Sequence, residues 1–345
     1  MHERNAINKA NNDLVMCSFP NWHKLFAKIS MKSICIRIPD DVKRYLLDEM
    51  MILPKECMSE DQLNEVHVGY EEEDTENLEP PEFPEFSKLI TEKLDELGGS
   101  AFLKTNWRSP KDSCWITAGQ TMKVKDINDV YQLLKASSLC QEDLTQLNAS
   151  VDDGREGSSS TLYRDSFLVF KKWREIHPGT EFRCFVRNKN LIGISPRDWP
   201  QYHAHILTQN KDIVNDIKSM FKEHIKTKFS LNDYIFDVVR DTKDRVYLMD
   251  FSPFHEKWSQ PLAFTWDELL ELTEDDDEPE LRYLNADCGI QPRESNNYGI
   301  PTDVIEAIKA SYEEGENSLN EFLASRLSNI VDSRNRENEN DVNES

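Results

Sequence analysis

Two apolar runs separated by one short polar turn constrain this chain more than any other feature. Y-I-F-D-V-V (234–239) and R-V-Y-L-M-D-F-S-P-F (245–254) flank D-T-K-D (241–244). Strands so close in sequence pair antiparallel as a hairpin, because a parallel pair needs a crossover of about a dozen residues or more. Both runs have the composition of buried strands, yet they carry Asp237, Asp250 and Ser252. A turn centred on Thr242-Lys243 pairs Asp237 with Leu248 and makes Asp250 its diagonal neighbour. A slip of one residue on each strand sets the two aspartates opposite each other. Either way both carboxylates share a face with Ile235, Val239, Val246 and Leu248. Like charges in apolar surroundings cannot both stay ionised unless something neutralises them. A hard cation does so, and Mg²⁺ typically takes one or two carboxylates together with the phosphates of a nucleotide. The alternative is a solvent-facing sheet with ordinary surface acids.

Two further segments carry charge on β-rich frames. In E-F-R-C-F-V-R (181–187), alternation sends Phe182, Cys184 and Val186 to a core face and Glu181, Arg183, Phe185 and Arg187 to the other. A guanidinium on a rigid strand suits phosphate recognition; a water-facing Glu181–Arg183 pair is the alternative. In A-F-L-K-T-N-W-R-S-P-K-D-S (101–113), Lys104 ends a strand behind Gly98-Gly99, and the loop holds Arg108 and Lys111. Backbone amides and cations together can reach an anion there, although charged loops are commonly just solvated.

The remaining chain reads as α+β. Helical spacing marks Phe86, Leu89, Ile90, Leu94 and Leu97, with a left-handed cap at the glycine pair. It also marks 125–136 and a basic helix through 211–228, while D-D-V-K-R-Y-L-L (40–47) opens a helix behind Asp40. Thr265 and Glu268 form a capping-box pattern. A final helix is expected from Pro301. The expected organisation is a disordered tail (1–13), an N-terminal part of the first lobe (14–55), an acidic linker or insert (56–84), a first lobe (85–172), a second lobe with the hairpin (173–272), an acidic segment and helix (273–320), and a disordered acidic tail (321–345).

The net charge of −23 over 345 residues argues against nonspecific nucleic-acid binding, which needs clustered cations. Residues 161–230 run the other way, with thirteen Lys and Arg against seven Asp and Glu, about +6 inside an acidic protein. Such a region suits a small anionic ligand better than a polyanion. The seven cysteines are scattered, never C-x-x-C, so reduced thiols are expected rather than disulfides or zinc. The sequence shows no apolar run of membrane-spanning length and no signal-peptide pattern, and a monomeric cytoplasmic protein without membrane contact is the expectation.

The order of these parts is that of an ATP-grasp fold. C-S-F-x-x-W, K-S-I-C-I-R-I-P, P-P-E-F-P-E-F, L-G-G-S-A-F-L-K-T-N-W, P-K-D-S-C-W-I, P-G-T-E-F-R-C-F-V, L-I-G-I-S-P-R-D, F-D-V-V-R-D and D-F-S-P-F, in that order over about 14–310, resemble the cell division cycle protein 123 family. The resemblance implies an ATP-grasp-like protein that binds ATP and Mg²⁺ and chaperones assembly of eukaryotic translation initiation factor two by binding its gamma subunit, supporting translation initiation and cell-cycle progression. By position it gives Lys104 a phosphate contact, Ser109, Pro110, Lys111 and Asp112 the loop over the triphosphate, Lys172 and Trp173 the adenine hinge, and Glu175 the ribose. It gives Arg183 a phosphate, Asp237, Asp250 and Ser252 the magnesium, and Lys226 (or Lys228) a weaker nucleotide contact. No catalytic residue is assigned.

Two departures stand out. The covering loop has no glycine, which favours a clamp over a flap. Ser252 stands where asparagine is expected and offers a shorter, neutral ligand. A ligase forming an acylphosphate for attack by an amine, and a scaffold with a vestigial site, remain the alternatives.

Overall fold

A computed structural model describes residues 11–48, 52–59, 79–117, 121–149, 165–272 and 278–286. Four strands, β1 (Ser33–Arg37), β2 (Ala101–Lys104), β3 (Lys123–Val124) and β4 (Phe167–Lys172), form an antiparallel sheet in the order β1-β4-β2-β3. Lys104 lies opposite Val169 and Phe102 opposite Lys171, so the two lysines share one face. Leu103, Leu168 and Phe170 take the other face, in a core closed by α2 (Asp40–Leu47), α3 (Pro84–Glu96), α4 (Ile127–Lys135) and α5 (Ser138–Ala149). α3 buries Phe86, Ile90 and Leu94 at four-residue spacing. It ends where Gly98 (φ 93°) and Gly99 (φ 81°) turn left-handed, a backbone that side chains other than glycine adopt at a cost. Asp40 lies inside α2 rather than capping it; Pro39 holds the cap position and contributes no side-chain hydrogen bond.

The second sheet runs β8-β7-β5-β6-β9, with β5 (Glu181–Arg187), β6 (Asn190–Pro196), β7 (Tyr234–Thr242), β8 (Arg245–Pro253) and β9 (Glu280–Leu281). Only β9 pairs parallel, along β6. One face packs Phe182, Cys184, Phe236 and Phe251 onto α6 (Ala204–Met220), the π-type turn Phe221–Ile225, and α1 (Phe19–Phe26). The α1 residues Phe19, Trp22 and Phe26 are buried one helical stripe apart. The capping box appears as expected, with Thr265 and Glu268 exchanging bonds at the start of α7 (Trp266–Glu271).

The hairpin corrects the first sequence register and bears out the second at its turn and at the aspartates. Its turn sits on Lys243-Asp244, with Thr242 opposite Arg245 and Asp244 at φ 62°. Between the pairs Asp237–Asp250 and Val238–Leu248 the ladder shifts by one residue, so Met249 is an extra residue in β8. A second shift between Arg240 and Thr242 offsets it, so the aspartates keep the register of the turn and lie directly opposite each other, while Leu248 and Val246 between the two shifts are rotated away from them. Both join the core beneath α6, and Tyr247, opposite Val239, takes the place expected for them.

The α+β class is as expected. The six described cysteines are all free. Cys288, the acidic stretch within 60–78, the loop through 150–164, the helix from Pro301 and both tails lie outside the described residues. No helix among those described is long and apolar enough to cross a membrane.

Candidate functional site

The lysine face of the first sheet meets the aspartate face of the second. Lys104, only 1% exposed, ion-pairs with Asp250, and the Lys171 ammonium stands 3.9 Å from the same carboxylate oxygen. Lys171 also donates to the Met249 carbonyl at 2.5 Å, so the bulge residue beside Asp250 supplies an acceptor as well. Beneath both ammonium groups lies the Phe19 ring, 5.3 and 5.0 Å away at its centroid. Such contacts reach about 2 kcal/mol when desolvated.

Asp237 is held by arginines. Arg183 donates through Nε to Oδ1 and through Nη2 to Oδ2, each at 2.9 Å, and through Nη1 to the Gln260 carbonyl at 3.0 Å. Arg197 adds a bond to Asp237 Oδ2 at 3.2 Å. Burial pushes the Asp237 carboxyl up, but Arg183 and Arg197 outweigh it and hold the group at about 2. Lys171 moves the opposite way: burial draws it down to about 8, Asp250 opposes the shift and Lys104 adds to it. Glu181 borders the cluster, its carboxyl raised chiefly by burial.

Four cations thus surround two carboxylates. The like charges predicted to demand a metal are already neutralised by lysine and arginine, and the surplus is positive. Among the described residues no group of three or more His, Cys, Asp or Glu is placed to hold a metal by itself. Asp237 and Asp250 fit Mg²⁺ only as two of its ligands, the others coming from phosphate or water. Next to the cluster is a pocket of about 200 Å³ lined by Met31, Arg174, Glu175, His177, Val239, Asp241 and Tyr247, among others. Val239 is two residues from Asp237 on the same face, roughly 7 Å along the strand.

The chain matches the D123 family model over residues 22–308. It belongs to the D123 family. A relative from Xenopus tropicalis, 39% identical over 84% of this chain and 90% of its own, is named translation initiation factor eIF2 assembly protein. A relative of the same name from Schizosaccharomyces pombe is 33% identical over 89% of this chain and 93% of its own. The solved structure of Cdc123 from Schizosaccharomyces pombe superposes with a TM-score of 0.63 at 30% identity, covering 80% of this chain and 98% of that one. The two-sheet α+β arrangement of this D123 protein is therefore the fold of that Cdc123 structure.

Of the residues singled out in the D123 sequence, Lys104, Arg183, Asp237 and Asp250 come together, and Ser252 follows Asp250 on the same face, opposite Ile235. Glu175 lines the pocket, its carboxylate accepting from the Trp173 indole at 2.8 Å. The others are elsewhere. Lys172 is exposed on the face of β4 opposite Lys104 and Lys171. Lys226 donates to Asn190 at the far end of the β5–β6 hairpin. Asp112 accepts from the Ser137 hydroxyl at 2.6 Å and the Leu139 amide at 3.1 Å, fastening the start of α5. Arg108 is fixed by Asp143 and Glu142, so the segment carrying Ser109, Pro110 and Lys111 is anchored to α5 rather than loose. Three contributors escaped the sequence reading: Lys171, Arg197 and Phe19. Alternation in F-L-V-F-K-K shows that only one of Lys171 and Lys172 can share a face with Lys104, but choosing between them needs the β2–β4 register.

Proposed function

We propose that this protein binds ATP with Mg²⁺ and acts as an assembly chaperone for translation initiation factor eIF2 in the cytoplasm, engaging the gamma subunit. The nucleotide half rests on one observation: four cations exceed two partly buried carboxylates beside a pocket whose walls mix Met31, Val239 and Tyr247 with Arg174, Glu175 and His177. The apolar part of those walls suits a base, and lysine and arginine suit a phosphate chain. Lys104, Lys171, Arg183 and Arg197 would hold the phosphates, Asp237 and Asp250 would hold the metal, and the hinge with Glu175 would face the nucleoside. When bound, the metal would supply charge neutralisation between phosphate oxygens. The assembly half rests on the names of relatives that align with more than four-fifths of the chain. No feature of the described residues favours the ligase alternative.

Purified protein should retain the eIF2 gamma subunit in a pull-down and show a thermal shift with MgATP. Loss of gamma capture with an intact shift would overturn the assembly half, and absence of a shift at millimolar MgATP would overturn the nucleotide half.

A further inference from the structure

Every oxygen of the two opposed aspartates is occupied by a donor. Asp237 Oδ1 accepts from Arg183, and its Oδ2 from both Arg183 and Arg197. Asp250 Oδ2 is paired with Lys104, with Lys171 at 3.9 Å, and its Oδ1 accepts from the Phe251 amide at 3.1 Å. A divalent cation approaching this face meets four positive groups gathered on the same two carboxylates. A phosphate chain meets the same four groups as ligands, and each bond it makes draws a donor from a carboxylate.

We infer that the polyphosphate chain opens the metal site: the protein binds a triphosphate without metal, does not bind Mg²⁺ alone, and acquires its metal only after the chain has drawn the lysines and arginines off Asp237 and Asp250. This deepens the nucleotide reading proposed above and rests on it. The physical ground is exchange of partners. Charge-assisted bonds from Lys and Arg pass from carboxylate to phosphate with little net loss, and the exposed carboxylates then face a local charge that favours a cation. Before the exchange, metal binding would break those bonds with nothing to replace them.

Calorimetric titrations of the full chain with MgCl₂ alone, with ATP in EDTA, with inorganic tripolyphosphate in EDTA, and with MgATP test this. The expected pattern is no binding of Mg²⁺ alone at millimolar concentration, saturable binding of metal-free ATP and tripolyphosphate, and tighter binding of MgATP. Lys104→Met and the more exposed Arg197→Ala should each weaken metal-free tripolyphosphate roughly tenfold or more while strengthening Mg²⁺ alone. Opposite signs for the two ligands are something a general loss of folding does not produce. Saturable binding of Mg²⁺ alone that is lost in Asp250→Asn, or a strict need for metal before tripolyphosphate binds, would overturn the inference and leave the nucleotide reading standing. Failure of MgATP itself to bind would overturn both.

Discussion

Asp237 and Lys171 show what a low-dielectric contact does to a single group. The Asp237 carboxyl is depressed from its ordinary 3.8 to about 2, so it stabilises the fold above about pH 4, and that contribution is lost as pH falls towards 2. Asp237→Asn should leave Arg183 and Arg197 without their carboxylate and cost about 3–5 kcal/mol in urea unfolding at neutral pH, with a flatter acid limb below pH 4. Lys171 has the reverse linkage. Its ammonium is depressed from 10.5 to about 8, so the unfolded chain binds more protons between those values and stability gains a rising contribution across them. A bound phosphate stabilises the charged form, so nucleotide binding near pH 8 should take up protons. Calorimetry in two buffers of different ionisation enthalpy measures this uptake, and Lys171→Met should abolish it. An unchanged uptake in the variant would assign the proton elsewhere.

At the level of elements, the bulge at Met249 carries consequences out of proportion to its size. One extra residue separates Leu248, in the core, from Asp250, in the site, and points a carbonyl at Lys171. Deleting Met249 would leave Asp237–Asp250 and Val238–Leu248 as consecutive pairs of a regular ladder and remove the carbonyl to which Lys171 donates. The deletion should weaken the nucleotide-induced thermal shift through the loss of that acceptor; an unchanged shift would show that the carbonyl does not position Lys171. The turn Pro178–Thr180 is a second tight point. A Cβ on Gly179 would lie 2.7 Å from the rings of His203 and His205, so Gly179→Ala should destabilise by about 1–3 kcal/mol, read by chemical denaturation.

Across the whole molecule, the Lys104–Asp250 and Lys171–Asp250 contacts join the two sheets at the point where the ligand is proposed to bind. MgATP should therefore protect β2, β4 and β8 together in hydrogen exchange, and at one hundred times its dissociation constant it should raise unfolding stability by about 2.7 kcal/mol. Protection confined to one sheet would place the ligand on that sheet alone. The sequence by itself determined the hairpin, its two polar intrusions, the core face of Phe182, Cys184 and Val186, the glycine-capped α3 and the order of segments that marks the family, because periodicity and turn chemistry act over a few residues. Only the tertiary structure decided what neutralises the aspartates. Lys104 and Asp250 are 146 residues apart, Arg183 and Asp237 are 54 apart, and the β2–β4 register selects between Lys171 and Lys172. Those choices depend on register and on the packing of one sheet against another, where a single residue of slip exchanges a buried face for its opposite.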